Sequence, residues 1–325
     1  MTILMTGLCE KGADQIWKQC NDALYAQGVT WLEEAAYAGD AEAWFFLGHC
    51  YSWGDGAVGF NEKKAYECYL RGASAGSARA VLGALRAGQY DEQMKQSARY
   101  SIEESYRQVR EAAEMGDVYA AWQMGEAVEW EDLVDYMPQT ESAREQCLSW
   151  YERAADGGII PAMVKMGKCC QNGTYREKDE KEALRWANQC AASGEVWGLF
   201  QMGEHYRQEE DWEAAFQYDY AAAKQGSSRA MLYLGQMYLN GQGTERDIQA
   251  AVRALEGAAA RNEAESFEEL GNLFYQDELV ERDDEKAFYW YGKAYAAGIK
   301  EAALPLARLY LRPSDEQDTV RAEKL

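Results

Sequence analysis

AAKQGSSRAMLYLG, residues 222–235, is the stretch that decides the fold, because the chain repeats it. AAYAGDAEAWFFLG stands at 35–48, AAEMGDVYAAWQMG at 112–125 and AADGGIIPAMVKMG at 154–167. With the central glycine as anchor, weaker copies complete the series Gly39, Gly76, Gly116, Gly158, Gly194, Gly226, Asn262 and Gly298, at spacings of 37, 40, 42, 36, 32, 36 and 36. Self-similarity at such a period marks an array of supersecondary units, so the usual estimate of two domains from 325 residues does not apply.

The offsets around each anchor describe two amphipathic helices. Nine residues after it comes a second small residue (Gly48, Gly125, Gly167, Gly203, Gly235, Gly271, with Ala307 in the last copy). A glycine inside a helix costs about 0.5–1 kcal/mol against alanine, so its recurrence implies close approach of a neighbouring helix. Alanine recurs four residues after the anchor (Ala43, Ala80, Ala120, Ala162, Ala230, Ala302), and aromatic residues recur twelve after it (Tyr51, Tyr206, Tyr238, Phe274, Tyr310). These place a stripe of knobs and holes on one face. Fifteen residues before the next anchor stand Asn61, Ser101, Asp179, Asp211, Asp247 and Asp283. All are good N-caps, and Asp179 with Glu182 has capping-box spacing. The anchor falls where a helix C-cap needs a left-handed residue, and asparagine tolerates that conformation best after glycine. Low proline and abundant Ala, Leu, Glu, Lys and Gln agree with an all-α chain.

This phrase, with its A-x-x-x-L-G-x-x-Y, its G-x-G loops (Gly54/Gly56, Gly241/Gly243) and its D-x-x-K-A-x-x-W-Y-x-x-A-A segment, resembles the Sel1-like repeat, a relative of the tetratricopeptide repeat. AMLYLGQMYLNGQGTERDIQAAVRALEGAAARN at 230–262 shows it well, and the 36-residue mode favours it over the strict tetratricopeptide period. The resemblance covers residues 31–311. It implies a right-handed α/α superhelical solenoid of about eight antiparallel helix pairs, whose first helices line a concave groove. It also implies a scaffold or adaptor, with no shared catalytic residues. Residues 77–115 depart most, lacking LG in register and the G-x-G loop, so that unit is expected to be distorted or to carry an insertion. Pro305 is expected to kink its helix. Residues 1–30 are expected to form an N-terminal capping region, with a helix over 12–27 carrying Ile16, Trp17, Cys20, Leu24 and Tyr25. Residues 312–325 are expected to be an unpacked tail.

Composition narrows the function. Fifty-five acidic residues against 33 basic ones leave −22, which disfavours nucleic acid held through counterion release. The first twelve residues carry no basic segment, and no run approaches the roughly 18 apolar residues of a spanning helix, so the sequence predicts a cytoplasmic protein with no membrane insertion. The eight cysteines stop at Cys190 while the repeat continues, so they read as small buried hydrophobes of a reducing compartment. No CxxC pair or ligand-like histidine spacing suggests a metal, and no cofactor motif is present. GASAG at 72–76 matches a nucleophile elbow around Ser74, but the repeat puts a helix where that turn needs a strand.

The candidate binding residues lie on a second strip of each first helix, at +3, +7, +10 and +14 from the anchor. It carries Phe46, Trp53, Arg86, Tyr90, Tyr119, Trp130, Lys165, Trp197 and Tyr233. Rings beside guanidinium, ammonium and amide groups suit an extended peptide or protein segment. The same rings would pack beneath the long loops if the register slipped by one residue. Two functions therefore stand at this stage: a non-enzymatic interaction scaffold for a protein or peptide partner, and a small-molecule, glycan-binding or enzymatic use of the aromatic groove.

Overall fold

The structure is a computed structural model that describes residues 2–18, 22–54, 58–129, 143–276 and 279–311. Among these residues it contains eighteen α-helices and no strand. The chain divides into two compact units, Met1–Gly198 and Leu199–Leu325.

The first unit opens with α1 (Thr2–Trp17) and α2 (Asp22–Tyr37). Residues 12–27 are thus not one capping helix. α1 ends at Trp17 and α2 begins at Asp22, with Cys20 outside the described residues, and α1 and α2 make a helix pair of their own. Next come α3 (Ala41–Trp53) with α4 (Glu62–Ala75), α5 (Ala78–Arg86) with the short α6 (Glu92–Ser97) and α7 (Ile102–Glu114), α8 (Val118–Glu129) with α9 (Ala143–Asp156), and α10 (Ile160–Asn172) with α11 (Glu180–Ala192). The helix α12 (Val196–Gln208) carries the division. The second unit continues with α13 (Trp212–Lys224), α14 (Ser228–Asn240), α15 (Ile248–Ala259), α16 (Ala264–Tyr275), α17 (Asp284–Ala296), a 3-10 turn at Lys300–Ala302, and α18 (Ala303–Tyr310). The irregularity expected at 77–115 is a shortened α5 followed by the extra helix α6.

Every anchor has the left-handed backbone that its position demands: the seven glycines have φ between 80° and 103°, and Asn262 has φ 61°. Each expected N-cap (Asn61, Ser101, Asp179, Asp211, Asp247, Asp283) accepts a first-turn amide through its side chain. The reciprocal capping box forms at Ser101 and Glu104, where the Glu104 carboxylate accepts from Ser101 N at 3.1 Å. At Asp179 only the cap itself forms, because the Glu182 carboxylate turns to Arg185. Pro305 does not kink a helix. It is the third residue of α18, where its missing N–H is one of the amides that have no intrahelical partner anyway, and the 3-10 turn precedes it.

The alanines four residues after the anchors are fully buried. At Gly48, Gly125, Gly235 and Gly271 the small residue nine after the anchor meets a bulky side chain of the following helix: a Cβ on Gly125 would lie 2.7 Å from the Tyr151 ring, and one on Gly271 2.6 Å from Tyr291, whereas Gly167 meets Trp197 of α12. In the divergent repeat the glycine sits two positions early, at Gly83, and meets Tyr69 as well, so that one ring is shared by Gly48 and Gly83. Ser74 lies within α4, and its hydroxyl donates to Leu70 O at 2.7 Å, as a helical serine does.

Candidate functional site

The second strip acquires a definite shape in the first unit. At the N-terminal ends of the first helices, Arg79 of α5 lies between Asp117, with which it pairs, and Glu42 of α3, at 3.6 Å. Its carbonyl accepts the amide of Gln123 at 2.9 Å. Helix α1 covers the strip here. Trp17 is buried with ring centroids 5.2 Å from Phe46, 5.1 Å from His49 and 6.1 Å from Tyr119, while Tyr119 donates to Asp14 at 2.6 Å. Phe46, only 3% exposed, therefore supports this face from behind.

At the opposite ends of α3, α5 and α8 the strip opens into a cavity of about 210 Å³. Gly54, at φ 69°, ends α3 and turns the chain back so tightly that a Cβ there would lie 2.9 Å from Phe60 Cα. That return brings Phe60, 68% exposed, to the same cavity as Trp53, 50% exposed. The Arg86 guanidinium lies 5.6 Å from the Trp53 ring centroid. Inside are His49, Tyr69, Gln89, Gln123 and Glu126.

Two amides among the residues lining this cavity are fixed by backbone carbonyls. Gln123, 6% exposed, gives its amide nitrogen to Arg79 O, and Gln89 gives its own to Glu62 O at 3.0 Å. A carbonyl can only accept, so both amides are fixed in orientation and both Oε1 atoms must face elsewhere. Neither oxygen has a hydrogen-bond donor among the described residues, and neither does His49 Nε2, which stands 4.0 Å from the Glu126 carboxylate. Burial, and secondarily the charge of Arg86, pushes His49 down to about 4, so its ring is neutral at neutral pH.

The remaining candidates are spread out. Tyr90 is half-buried beyond α5. Lys165 pairs with Glu129, which also accepts the Tyr151 hydroxyl at 2.6 Å. Trp197 packs over Gly167. Tyr233 belongs to the second unit, with the Arg207 guanidinium 3.8 Å from its ring centroid. Trp130 lies outside the described residues. Gln123 and Glu126 stand on the strip, seven and ten residues after Gly116, but are not rings or cations and so were not among the candidates; Phe60 and Gln89 were missed because they sit in loops with no fixed repeat position. Among the described residues no group of three or more His, Cys, Asp or Glu is arranged to hold a metal ion, and no helix is long and apolar enough to cross a membrane. The seven described cysteines are buried.

Helix pairs joined at left-handed anchors and locked by a glycine–ring contact define an α-helical repeat protein. The sequence model of the Sel1 repeat matches residues 22–40, 41–77, 118–159, 160–195, 228–261 and 268–299, and the chain belongs to that family. The irregular unit around α5 to α7 falls between two matches. The chain is similar to a crystal structure of a protective antigen of uropathogenic Escherichia coli with an SLR fold, at 22% identity and a TM-score of 0.67, covering 98% of this chain and 67% of that one. It is also similar to a Sel1 repeat protein from Oxalobacter formigenes, at 21% identity and a TM-score of 0.54, covering 94% of this chain and 86% of that one. An uncharacterized protein of Neisseria meningitidis serogroup B is 26% identical over 213 residues. That match takes in 65% of this chain, which spans 42% of the relative's length. Sel1 repeat folds generally serve as protein–protein interaction scaffolds and are generally non-catalytic.

Proposed function

We propose that this chain is a non-enzymatic scaffold that holds a segment of a partner protein against the strip of its first helices. The observation that carries this reading is the exposed pair Trp53 and Phe60 at the mouth of the cavity between α3, α5 and α8. Large exposed rings beside a pocket are what an interface core uses. Arg86 and Tyr90 extend the contact in the first unit, Phe46 and Tyr119 hold it from behind, and Lys165 and Trp197 continue the strip along later helices. Tyr233 marks the corresponding position in the second unit. The charge of −22 supports a protein partner over a nucleic acid.

The test compares the full chain with its Trp53→Ser/Phe60→Ser variant as bait, after circular dichroism shows equal helicity. A partner recovered by the parent chain and lost by the variant is the expected result. Equal recovery by both baits would place the interface elsewhere.

A further inference from the structure

Resting on that reading, we propose that the cavity between α3, α5 and α8 receives one large apolar side chain of the partner segment, of the leucine, methionine or phenylalanine class. The side chain would enter between Trp53 and Phe60, and the partner's backbone would lie across those two rings.

Size sets the first limit. A cavity of roughly 150 Å³ accommodates benzene, so about 210 Å³ suits a single large side chain and excludes a folded segment. The walls set the chemistry. Phe45 of α3, Leu82 and Leu85 of α5 and Ala127 of α8 line the cavity, with Trp53 and Phe60 at its mouth. The polar side chains among them direct their hydrogen-bonding atoms elsewhere. Gln123 and Gln89 give their amide nitrogens to backbone carbonyls, and their oxygens, like His49 Nε2, are sealed within the protein. The Tyr69 hydroxyl accepts from Ser52 at 3.2 Å. Arg86 and Glu126 are already engaged with other groups, and Glu62 is exposed to solvent, where an ion pair is worth little. A polar or charged head drawn into this space would give up its water without gaining a buried partner, which is unfavourable. An apolar side chain loses no hydrogen bond there and gains by leaving water. The mouth identifies the carrier. A free small molecule filling the cavity would leave Trp53 and Phe60 50% and 68% exposed, whereas a polypeptide that delivers the side chain covers both rings.

The experiment follows, by ligand-observed NMR, the binding of acetyl-Gly-Gly-X-Gly-Gly-amide peptides to the full-length chain, with X leucine, methionine, phenylalanine, glutamine or lysine. At least one apolar peptide should bind about tenfold more tightly than the glutamine peptide, whose side chain matches methionine in length, and lysine should do no better than glutamine. Ala127→Met, which fills the cavity, and Leu85→Gln, which sets an amide in its wall, should each remove that preference at parental helicity. Leu85 is half-buried, so its variant decides the matter if Ala127→Met does not fold. No binding by any peptide, glutamine or lysine binding as tightly as the best apolar residue, or a preference that survives in either folded variant overturns the proposal. If the Trp53/Phe60-dependent capture persists alongside any of these results, the scaffold reading stands and only the apolar-side-chain assignment falls.

Discussion

In four repeats the residue seven before the anchor is the one that meets the small position of the neighbouring helix. Tyr69 faces Gly48, Tyr151 faces Gly125, Tyr291 faces Gly271 and Leu255 faces Gly235. The three tyrosines add a hydrogen bond, pairing with Ser52 at 3.2 Å, Glu129 at 2.6 Å and Asn272 at 2.8 Å. At Gly203 the ring is replaced by Asp219, fully buried and paired with Arg207. Burial pushes its carboxyl up to about 6, with the Arg207 hydrogen bond and charge opposing. A pKa above the unfolded value means that its contribution to stability is fully present below the ordinary carboxylate range and is lost as pH rises through about 6. Asp219→Asn keeps a hydrogen-bond acceptor for Arg207 without the buried charge. It should therefore be more stable than the parent at neutral pH, by on the order of 2 kcal/mol, with the gap closing by about pH 4. Denaturant unfolding at the two pH values measures it, and a variant less stable at neutral pH would show that the ion pair outweighs its desolvation.

At the scale of elements, what could be read from the sequence was whatever is encoded locally. A left-handed anchor admits few residue types, and a first-turn cap uses one side chain a fixed distance from the turn; both left a periodic trace, and both are present. Gly39 isolates the conformational part of that requirement. Its φ is 103°, and a Cβ there would meet nothing within 4 Å, so Gly39→Ala should cost about 1–2 kcal/mol from backbone strain alone. A thermal midpoint unchanged from the parent would mean that the α2–α3 turn relaxes to another conformation. That two helices, α1 and α2, stand where one was expected was invisible because Ile16, Trp17, Cys20, Leu24 and Tyr25 keep helical spacing in the sequence, and periodicity cannot detect a change of helix that preserves phase. The cavity was illegible for a different reason. It joins α3, α5 and α8 through amide orientations set by backbone carbonyls, and one of those amides, Gln89, lies in the loop before α6, a helix that the repeat pattern did not place.

Over the whole molecule, the two compact units should answer acid in opposite senses. His49 in the first unit is held down to about 4, below its unfolded value. The stability linked to it is complete above about pH 6.5 and is lost as pH falls through about 4. Asp219 in the second unit has the reverse slope. Hydrogen exchange followed by mass spectrometry, corrected for intrinsic rates, should show peptides of α3 and α8 losing protection relative to those of α13 and α14 between about pH 7 and about pH 5. In His49→Phe, whose ring is apolar like the Trp17, Phe45 and Trp53 that surround the histidine, the first unit's loss should shrink. Equal acid response in parent and variant would remove His49 as its source. The tyrosine shared by Gly48 and Gly83 bears on how the array can be cut and rejoined. Excising residues 78–116 as a module would leave one face of Tyr69 without its glycine, and excising 41–77 would strand Gly83 without its ring. These two repeats therefore form one transplantable piece, and a deletion or graft that respects the sequence period but separates them should fail where the same operation on a regular repeat succeeds.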